Sequence, residues 1–191
     1  MSEGVTVVLL ISGSTRAGST KTAALRTVQA VAPSGIEARW YGGLAELPAF
    51  VPEAPEPAPD AVLRLRQHVA AADAVLFCTP EYAGTLPGSL KNLLDWTVGM
   101  GDLYGKPAAW ITVAVPGRGD GAAATLASVL GYVGADVDPA ICARLPLSRT
   151  DIGADGLVVS PEFRAGVAEV VRCLTARRQD SGTDRPDTGV G

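Results

Sequence analysis

The sequence has few of the side chains that build metal centres. Among its 191 residues there are one histidine, His68, and three cysteines, Cys78, Cys142 and Cys173, with no Cys-x-x-Cys pair. This set is too small and too scattered for a standard zinc site. The cysteines are therefore interpreted as buried free thiols in a reducing compartment, and no metal site is predicted.

Charge and long apolar runs are also scarce. Charged residues make up 19% of the chain and the net charge is −4, so composition gives no electrostatic case for nucleic-acid binding. The N-terminal apolar run is too short to span a bilayer and no basic segment precedes it. These features predict a soluble cytoplasmic protein without nucleic-acid or membrane partners. They also predict one domain over residues 1–178 and a disordered polar tail over residues 179–191.

A regular alternation of apolar strands and amphipathic helices is what the sequence does contain. Five β-branched or leucine-rich runs predict strands, the last of them weaker: residues 5–12, 36–41, 73–79, 107–115 and 136–143. Apolar residues at helical spacing predict five helices. Four of them begin near residues 20, 60, 87 and 161, and the remaining one includes residue 126. This order predicts an α/β fold with a doubly wound, five-stranded parallel sheet and helices on both faces. Residues 42–60 contain five prolines and predict a long surface loop.

Three polar loops follow the first, third and fourth predicted strands. They are the first loop (residues 13–20, GSTRAGST), the second loop (residues 79–88, TPEYAGTLPG) and the third loop (residues 116–121, PGRGDG). Ligands of open parallel sheets bind beyond the carboxyl ends of the strands. The function is therefore expected to lie in these three loops.

The first loop has the composition of an anion-binding turn. Ser14, Ser19 and Thr20 supply hydroxyl donors, Arg16 supplies a guanidinium, and the following helix supplies free amides. The pattern is one lysine short of a P-loop, because Ser19 occupies the lysine position and Lys21 comes two residues later. It is not the GxGxxG fingerprint either. A nucleoside-triphosphate site is disfavoured, whereas a phosphate cradle and a turn that only caps its helix both remain open.

The second loop is suited to a flat ligand. Pro80 stiffens it, Gly84 lets a ligand approach the backbone, and Tyr82 offers an aromatic face. Glu81 is interpreted as a solvated carboxylate in preference to a general acid. The third loop places three glycines around Arg118, which is consistent with a ligand contact or with a flexible connection.

Together these loops resemble those of the NADPH-dependent FMN reductase family of flavodoxin-like proteins, which includes quinone, azo-dye and chromate reductases. GSTRAGST and TPEYAGTLPGSLKNLLDW carry the resemblance, which covers roughly residues 5–175. It implies an NAD(P)H-dependent oxidoreductase with non-covalently bound FMN. The hydride of NADPH or NADH would pass through FMN to a quinone-like, azo or other small acceptor by a ping-pong scheme. The fold would then be flavodoxin-like, and no side chain would be catalytic.

The resemblance also implies the residues of the cofactor site. The phosphate would be held by the first loop and the residue after it: Ser14, Arg16, Ser19, Thr20 and Lys21. The ring would lie along the second loop, with the third loop on another side: Pro80, Glu81, Tyr82, Ala83, Gly84, Pro116, Gly117 and Arg118. The family often has asparagine where this chain has Lys21 and Ala83, so the contacts at these two positions are expected to differ.

The resemblance further implies a homodimer or homotetramer, with the helix containing residues 90–96 as a candidate interface. The apolar wall of the second substrate's site is expected to come partly from residues 47–50 and partly from a neighbouring subunit. Two alternatives on the same fold are a flavodoxin-type electron carrier and a flavin-free binding or regulatory module.

Overall fold

A computed structural model describes residues 5–53 and 57–181 of the chain. The described residues form six strands: β1 (Thr6–Ser12), β2 (Ile36–Tyr41), β3 (Ala74–Cys78), β4 (Pro107–Thr112), β5 (Asp136–Val137) and β6 (Ala143–Arg144). They also form five α-helices: α1 (Thr20–Val31), α2 (Asp60–Ala70), α3 (Gly88–Trp96), α4 (Asp120–Tyr132) and α5 (Pro161–Ser181). The first four strands and the five helices lie where the sequence predicts them.

The strands form one parallel sheet in the order β2-β1-β3-β4, and β5 and β6 both pair with β4. The chain adds β2 on one side of β1 and β3 on the other, which is the flavodoxin-like strand order. Ser12 pairs with Cys78 at the carboxyl ends of β1 and β3. The first and second loops therefore leave the sheet side by side, and the predicted α/β doubly wound fold is confirmed.

Helices cover both faces of the sheet, as predicted. Leu9 and Ile11 of β1 pack in the same apolar layer as residues of α2, α3 and α4. The alternate residues Val8 and Leu10 pack with α1 and α5 on the other face. Because both faces are covered, the central strands have continuous apolar sequences, and every residue of β3 is buried.

The predicted fifth strand is interrupted. Only its two ends pair with β4, through Asp136 and Val137 near the start of β4 and through Ala143 near its end. Between them, Asp138 accepts a hydrogen bond from the amide of Ala140 at 2.9 Å and forms a turn. An aspartate followed by proline favours such a turn over a continuous strand, which is why this prediction was too long.

The proline-rich segment forms a loop that packs on α3. Its described part contains one 3-10 turn, Leu44–Glu46. The carbonyl of Pro48 accepts hydrogen bonds from the side chains of Asn92 and Trp96, both at 2.9 Å. The amide of Phe50 donates to Asn92 at 2.8 Å, and its ring meets Trp96 edge-on. Residues 47–50 therefore pack on α3 and are not among the residues that line the cavity described below, and their contribution to the second substrate's site stays a prediction.

The apolar side of α3 faces the core. Four of its side chains are buried there: Leu90, Leu93, Leu94 and Trp96. Lys91 and Asp95 form an ion pair on the outer side of the helix. The apolar residues of α3 therefore pack in the core, and the interface expected on this helix stays a prediction.

The last helix extends into the segment predicted to be a disordered tail. α5 includes residues 179–181, and the rest of that segment, residues 182–191, lies outside the described residues. Across the described part of the chain, no helix is both long enough and apolar enough to cross a membrane.

Candidate cofactor site

A cavity of about 630 Å³ opens at the carboxyl ends of β1, β3 and β4. Pockets for cofactors and other small ligands typically measure about 300–1,000 Å³. Among the described residues, four cations and one carboxylate line this cavity: Arg16, Lys21, Arg118, Arg149 and Glu81. The whole chain carries a net charge of −4. The cavity is therefore a basic site in an acidic protein, which favours an anionic ligand.

The first loop forms one end of the cavity and leaves several donors free. Ser19 is the N-cap of α1, and its hydroxyl accepts a hydrogen bond from the amide of Thr22 at 3.1 Å. The amides of Gly18, Thr20 and Lys21 enter no hydrogen bond between described residues, and all three residues line the cavity. Free amides at a helix N-terminus bind phosphate. The loop thus caps its helix and also presents an anion cradle.

Two cationic side chains flank this cradle. The guanidinium of Arg16 makes no hydrogen bond or ion pair with any described residue, and Arg16 lines the cavity. The ammonium of Lys21 donates to the hydroxyl of Thr20 at 3.3 Å. Lys21 therefore lies at the edge of the cradle, with its charge on the cavity side of the loop. A monophosphate ester fits this donor set, and the arrangement needs no magnesium ion.

The base of the cradle is closely packed against the second loop. The amide of Gly13 donates to the carbonyl of Cys78 at 2.9 Å. A Cβ atom on Gly13 would lie only 2.2 Å from Oγ1 of Thr79, so a larger residue cannot occupy this position without displacing the loop. Burial raises the pKa of the Cys78 thiol to about 12, an effect that the positive charge of Lys21 partly opposes. All three cysteines of the chain are free, but Cys142 and Cys173 are only half-buried.

The second loop ends in a tight turn. Tyr82 and Thr85 exchange backbone hydrogen bonds at 3.0 and 3.1 Å around Ala83 and Gly84. Both central residues have positive φ, 50° for Ala83 and 77° for Gly84, as in a type I′ turn. Asparagine tolerates this conformation better than alanine does. Alanine in place of asparagine at position 83 is therefore expected to affect the conformation of the turn. It removes no side chain from the cavity, because Ala83 is not among the lining residues.

Glu81 joins the second loop to the start of α4. Its carboxylate accepts hydrogen bonds from the amides of Gly121 at 2.8 Å and Ala122 at 3.2 Å. These amides have no partner within the helix, and the positive end of the helix dipole favours the carboxylate. Glu81 is thus exposed to solvent, as the sequence favoured, and is also a helix cap, which the sequence did not indicate. Gly121 is essential to the contact, because a Cβ atom there would lie 2.0 Å from the carbonyl oxygen of Gly84.

Arg144 of β6 fixes the backbone that leads into the third loop. Its guanidinium donates to the carbonyls of Ala114, Val115 and Arg118 at 2.9, 3.2 and 2.9 Å. It also forms an ion pair with Asp120 at the start of α4. The third loop is therefore anchored to the sheet and is not a flexible connection.

Nine of the thirteen predicted cofactor-binding residues line the cavity: Ser14, Arg16, Ser19, Thr20, Lys21, Pro80, Glu81, Tyr82 and Arg118. The other four lie in the same loops outside its lining: Ala83, Gly84, Pro116 and Gly117. The cavity also includes residues not predicted from the sequence: Gly18, Thr79, residues 113–115, Gly119, Leu147 and Arg149. Leu147 and Arg149 belong to a segment without a recognisable pattern. It reaches the cavity because the amides of Leu145 and Leu147 bond to the backbone at the end of β4.

The fold and the cavity define a flavodoxin-like protein with a basic cavity at the switch point of its sheet. Comparison with known sequences gives the family. Residues 6–143 match the sequence model of the NADPH-dependent FMN reductase family. This match covers well over half of the chain, which therefore belongs to that family.

Relatives of known name agree with this assignment. The chain is 37% identical over 111 residues to a quinone reductase of Escherichia coli strain K12, an alignment that covers 56% of this chain and 58% of that protein. It is 29% identical over 163 residues to a 2-hydroxy-1,4-benzoquinone reductase of a Burkholderia species, covering 82% and 87%. Among solved structures, the flavoenzyme NAD(P)H:acceptor oxidoreductase FerB of Paracoccus denitrificans superposes with a TM-score of 0.80 at 29% identity, covering 92% and 98%. The chain spans little more than half the length of the first of these relatives.

Proposed function

We propose that this protein is an NAD(P)H-dependent oxidoreductase that holds FMN non-covalently and reduces a quinone-like, azo or other small acceptor. In the reaction with a quinone, NAD(P)H and one proton convert the quinone to the hydroquinone and leave NAD(P)⁺. The observation that carries the proposal is the basic cavity, with a monophosphate cradle at one end and apolar walls beyond it. FMN has one phosphate and one flat ring, and the cavity offers a site for each.

FMN, when bound, supplies the redox-active ring that takes a hydride from NAD(P)H and delivers electrons to the acceptor. The chain's own residues bind and orient it. Arg16, Lys21 and the free amides of the first loop would hold the phosphate. Pro80 and Tyr82 would border the ring on one side, and residues 113–115 on the other, where they exclude water. Ser19, Thr20 and Arg118 line the same cavity and are included in the proposed site.

The remaining predicted residues would act through the backbone. Ala83, Gly84, Pro116 and Gly117 shape the second and third loops without lining the cavity. Glu81 would position the second loop through its contact with α4, because both of its hydrogen bonds go to helix amides. No side chain in the cavity is assigned a catalytic role.

Flavin binding tests the proposal directly. Purified protein mixed with FMN is expected to elute from a sizing column with flavin absorbance, and then to oxidise NADPH steadily when a quinone is added. Riboflavin, which lacks the phosphate, is expected to bind at least about tenfold more weakly, since the cradle's charged hydrogen bonds contribute about 1.5–3 kcal/mol each.

Three other outcomes would contradict the proposal. Protein that stays colourless after mixing with FMN would be the flavin-free module. Protein that binds FMN but is reduced only by a separate reductase would be the electron carrier. Equal affinity for FMN and riboflavin would show that the first loop does not hold the phosphate.

We further propose that the protein acts in the cytoplasm as a homodimer or homotetramer. Large apolar side chains are exposed after α3 and at the end of α4, including Tyr104 at 81% and Tyr132 at 91% exposure. The ring of Tyr104 packs against Gly134, which lies two residues after Tyr132 in the sequence. Such a surface is typical of subunit contacts. Light scattering at micromolar concentration is expected to give at least twice the monomer mass, and a Tyr132→Glu variant is expected to shift it toward the monomer. A wild-type protein of monomer mass would contradict the proposal.

A further inference from the structure

Unpartnered arginines concentrate at the cavity. Among the arginines whose side chains the structure describes, four make no hydrogen bond or ion pair with a described residue: Arg16, Arg26, Arg118 and Arg149. Three of these four line the cofactor cavity, whereas Arg26 lies on another surface. Seven further arginines bond to carboxylates or to backbone carbonyls: Arg39, Arg64, Arg66, Arg144, Arg164, Arg172 and Arg177. A guanidinium without a partner beside a cavity is available to an anion in that cavity.

The cations of the cavity form two groups on different segments. Arg16 and Lys21 belong to the first loop and the start of α1. Arg118 lies in the third loop, where its amide donates to the carbonyl of Val115 at 3.1 Å. Arg149 follows Leu147, whose amide donates to the carbonyl of Val113 at 3.0 Å. The second group therefore borders residues 113–115, the wall proposed to face the flavin ring.

The carboxylates near this second group are already engaged. Glu81 bonds to the amides of α4, and Asp120 is paired with Arg144. Asp151, two residues after Arg149, accepts hydrogen bonds from the amide and hydroxyl of Ser148 at 2.7 and 2.8 Å. The positive charge of Arg118 and Arg149 is thus not neutralised by a direct partner.

We propose that Arg149 forms a second anion subsite in this cavity, to which Arg118 of the proposed flavin site also contributes positive charge. It would bind an anionic group on the molecule that stacks on the flavin. This inference rests on the proposed function. The FMN phosphate carries at most two negative charges, and Arg16, Lys21 and the free amides match it without help from the second group. The anion has two sources: the ribose phosphate that distinguishes NADPH from NADH, or a sulfonate or carboxylate on the acceptor.

The test compares FMN-loaded wild type with Arg149→Gln, and with Arg26→Gln as a matched control. Calorimetry measures the dissociation constants of NADP⁺ and NAD⁺. Steady-state kinetics measures kcat/KM for naphthoquinone and for naphthoquinone sulfonate. Flavin fluorescence measures the dissociation constant of FMN. Arg149 is exposed and its side chain has no partner, so Arg149→Gln is expected to fold normally.

Two preferences are compared: the affinity for NADP⁺ relative to NAD⁺, and kcat/KM for naphthoquinone sulfonate relative to naphthoquinone. Arg149→Gln is expected to lower one of these two ratios by roughly tenfold. The dissociation constant of FMN should change less than about twofold, and Arg26→Gln should leave both preferences at the wild-type value. A change in the nucleotide preference assigns the subsite to the donor, and a change in the quinone preference assigns it to the acceptor.

Two results would overturn the inference. One is that neither preference changes more in Arg149→Gln than in Arg26→Gln. The other is that Arg149→Gln weakens FMN binding instead, which would place Arg149 in the flavin site. If the wild type binds no FMN, the proposed function fails. The dissociation constants of NADP⁺ and NAD⁺ for flavin-free wild type and Arg149→Gln then still show whether Arg149 binds the ribose phosphate.

Discussion

Replacement of Gly121 by alanine is expected to lower the free energy of unfolding by about 2–3 kcal/mol, the upper range for an overpacked site. The added Cβ atom would lie 2.0 Å from the carbonyl oxygen and 2.9 Å from the carbonyl carbon of Gly84. Both are backbone atoms of a turn closed by two hydrogen bonds, so they cannot move as a flexible side chain would. The turn must instead separate from α4. Denaturant unfolding measures the loss.

The same substitution is expected to weaken FMN binding. Separation of the turn from α4 would break the contact of Glu81 with the helix amides and displace Pro80 and Tyr82 from the cavity wall. Gly131→Ala is the matched control in the same helix, because no atom lies within 4 Å of its added Cβ. That variant should gain about 0.5–1 kcal/mol of stability from the better helix propensity of alanine. A Gly121→Ala protein as stable as wild type would disprove the close packing of the two loops.

Replacement of Arg16 by alanine is expected to weaken FMN binding by about 1.5–3 kcal/mol, which is roughly ten- to a hundredfold. The guanidinium has no partner among the described residues, so its loss is expected to remove only a contact with the phosphate. Riboflavin affinity should stay unchanged in Arg16→Ala, because riboflavin has no phosphate. Flavin fluorescence titrations with both flavins measure the difference.

The stability of Arg16→Ala should remain within about 0.5 kcal/mol of wild type, as for other exposed positions. Arg26→Ala serves as the control, since Arg26 also lacks a partner but lies outside the cavity. It should bind both flavins normally. Unchanged FMN affinity in Arg16→Ala, or equal losses for FMN and riboflavin, would show that Arg16 does not contact the phosphate.

The sequence was sufficient to predict the sheet and the position of the loops at its carboxyl edge. Strands covered on both faces must be apolar throughout, so β1 and β3 are evident as runs of leucine and valine. The order of strand and helix then places the loops after β1, β3 and β4 at one edge. This is why residues as distant in sequence as Ser14, Tyr82 and Arg118 could be expected to line one site.

Contacts between loops were beyond what the sequence could predict. The hydrogen bonds from α4 to Glu81 depend on the close approach of Gly121 to Gly84, which no local pattern encodes. Arg149 reaches the cavity through backbone pairing of an irregular segment with the end of β4. The turn at Ala83 was also unexpected, because alanine rarely adopts positive φ. In each case tertiary packing determines the position.

The burial of Cys78 bears on chemical durability. Quinones are electrophiles that add to thiolates, and an enzyme that handles them exposes its own cysteines to that reaction. Burial raises the pKa of the Cys78 thiol far above neutral pH, so the thiol stays protonated there, and only the thiolate is nucleophilic. The thiol also lies beneath the first loop with none of its surface accessible to solvent. Cys78 is thus shielded from electrophiles, which would protect the proposed quinone reductase from alkylation at its core.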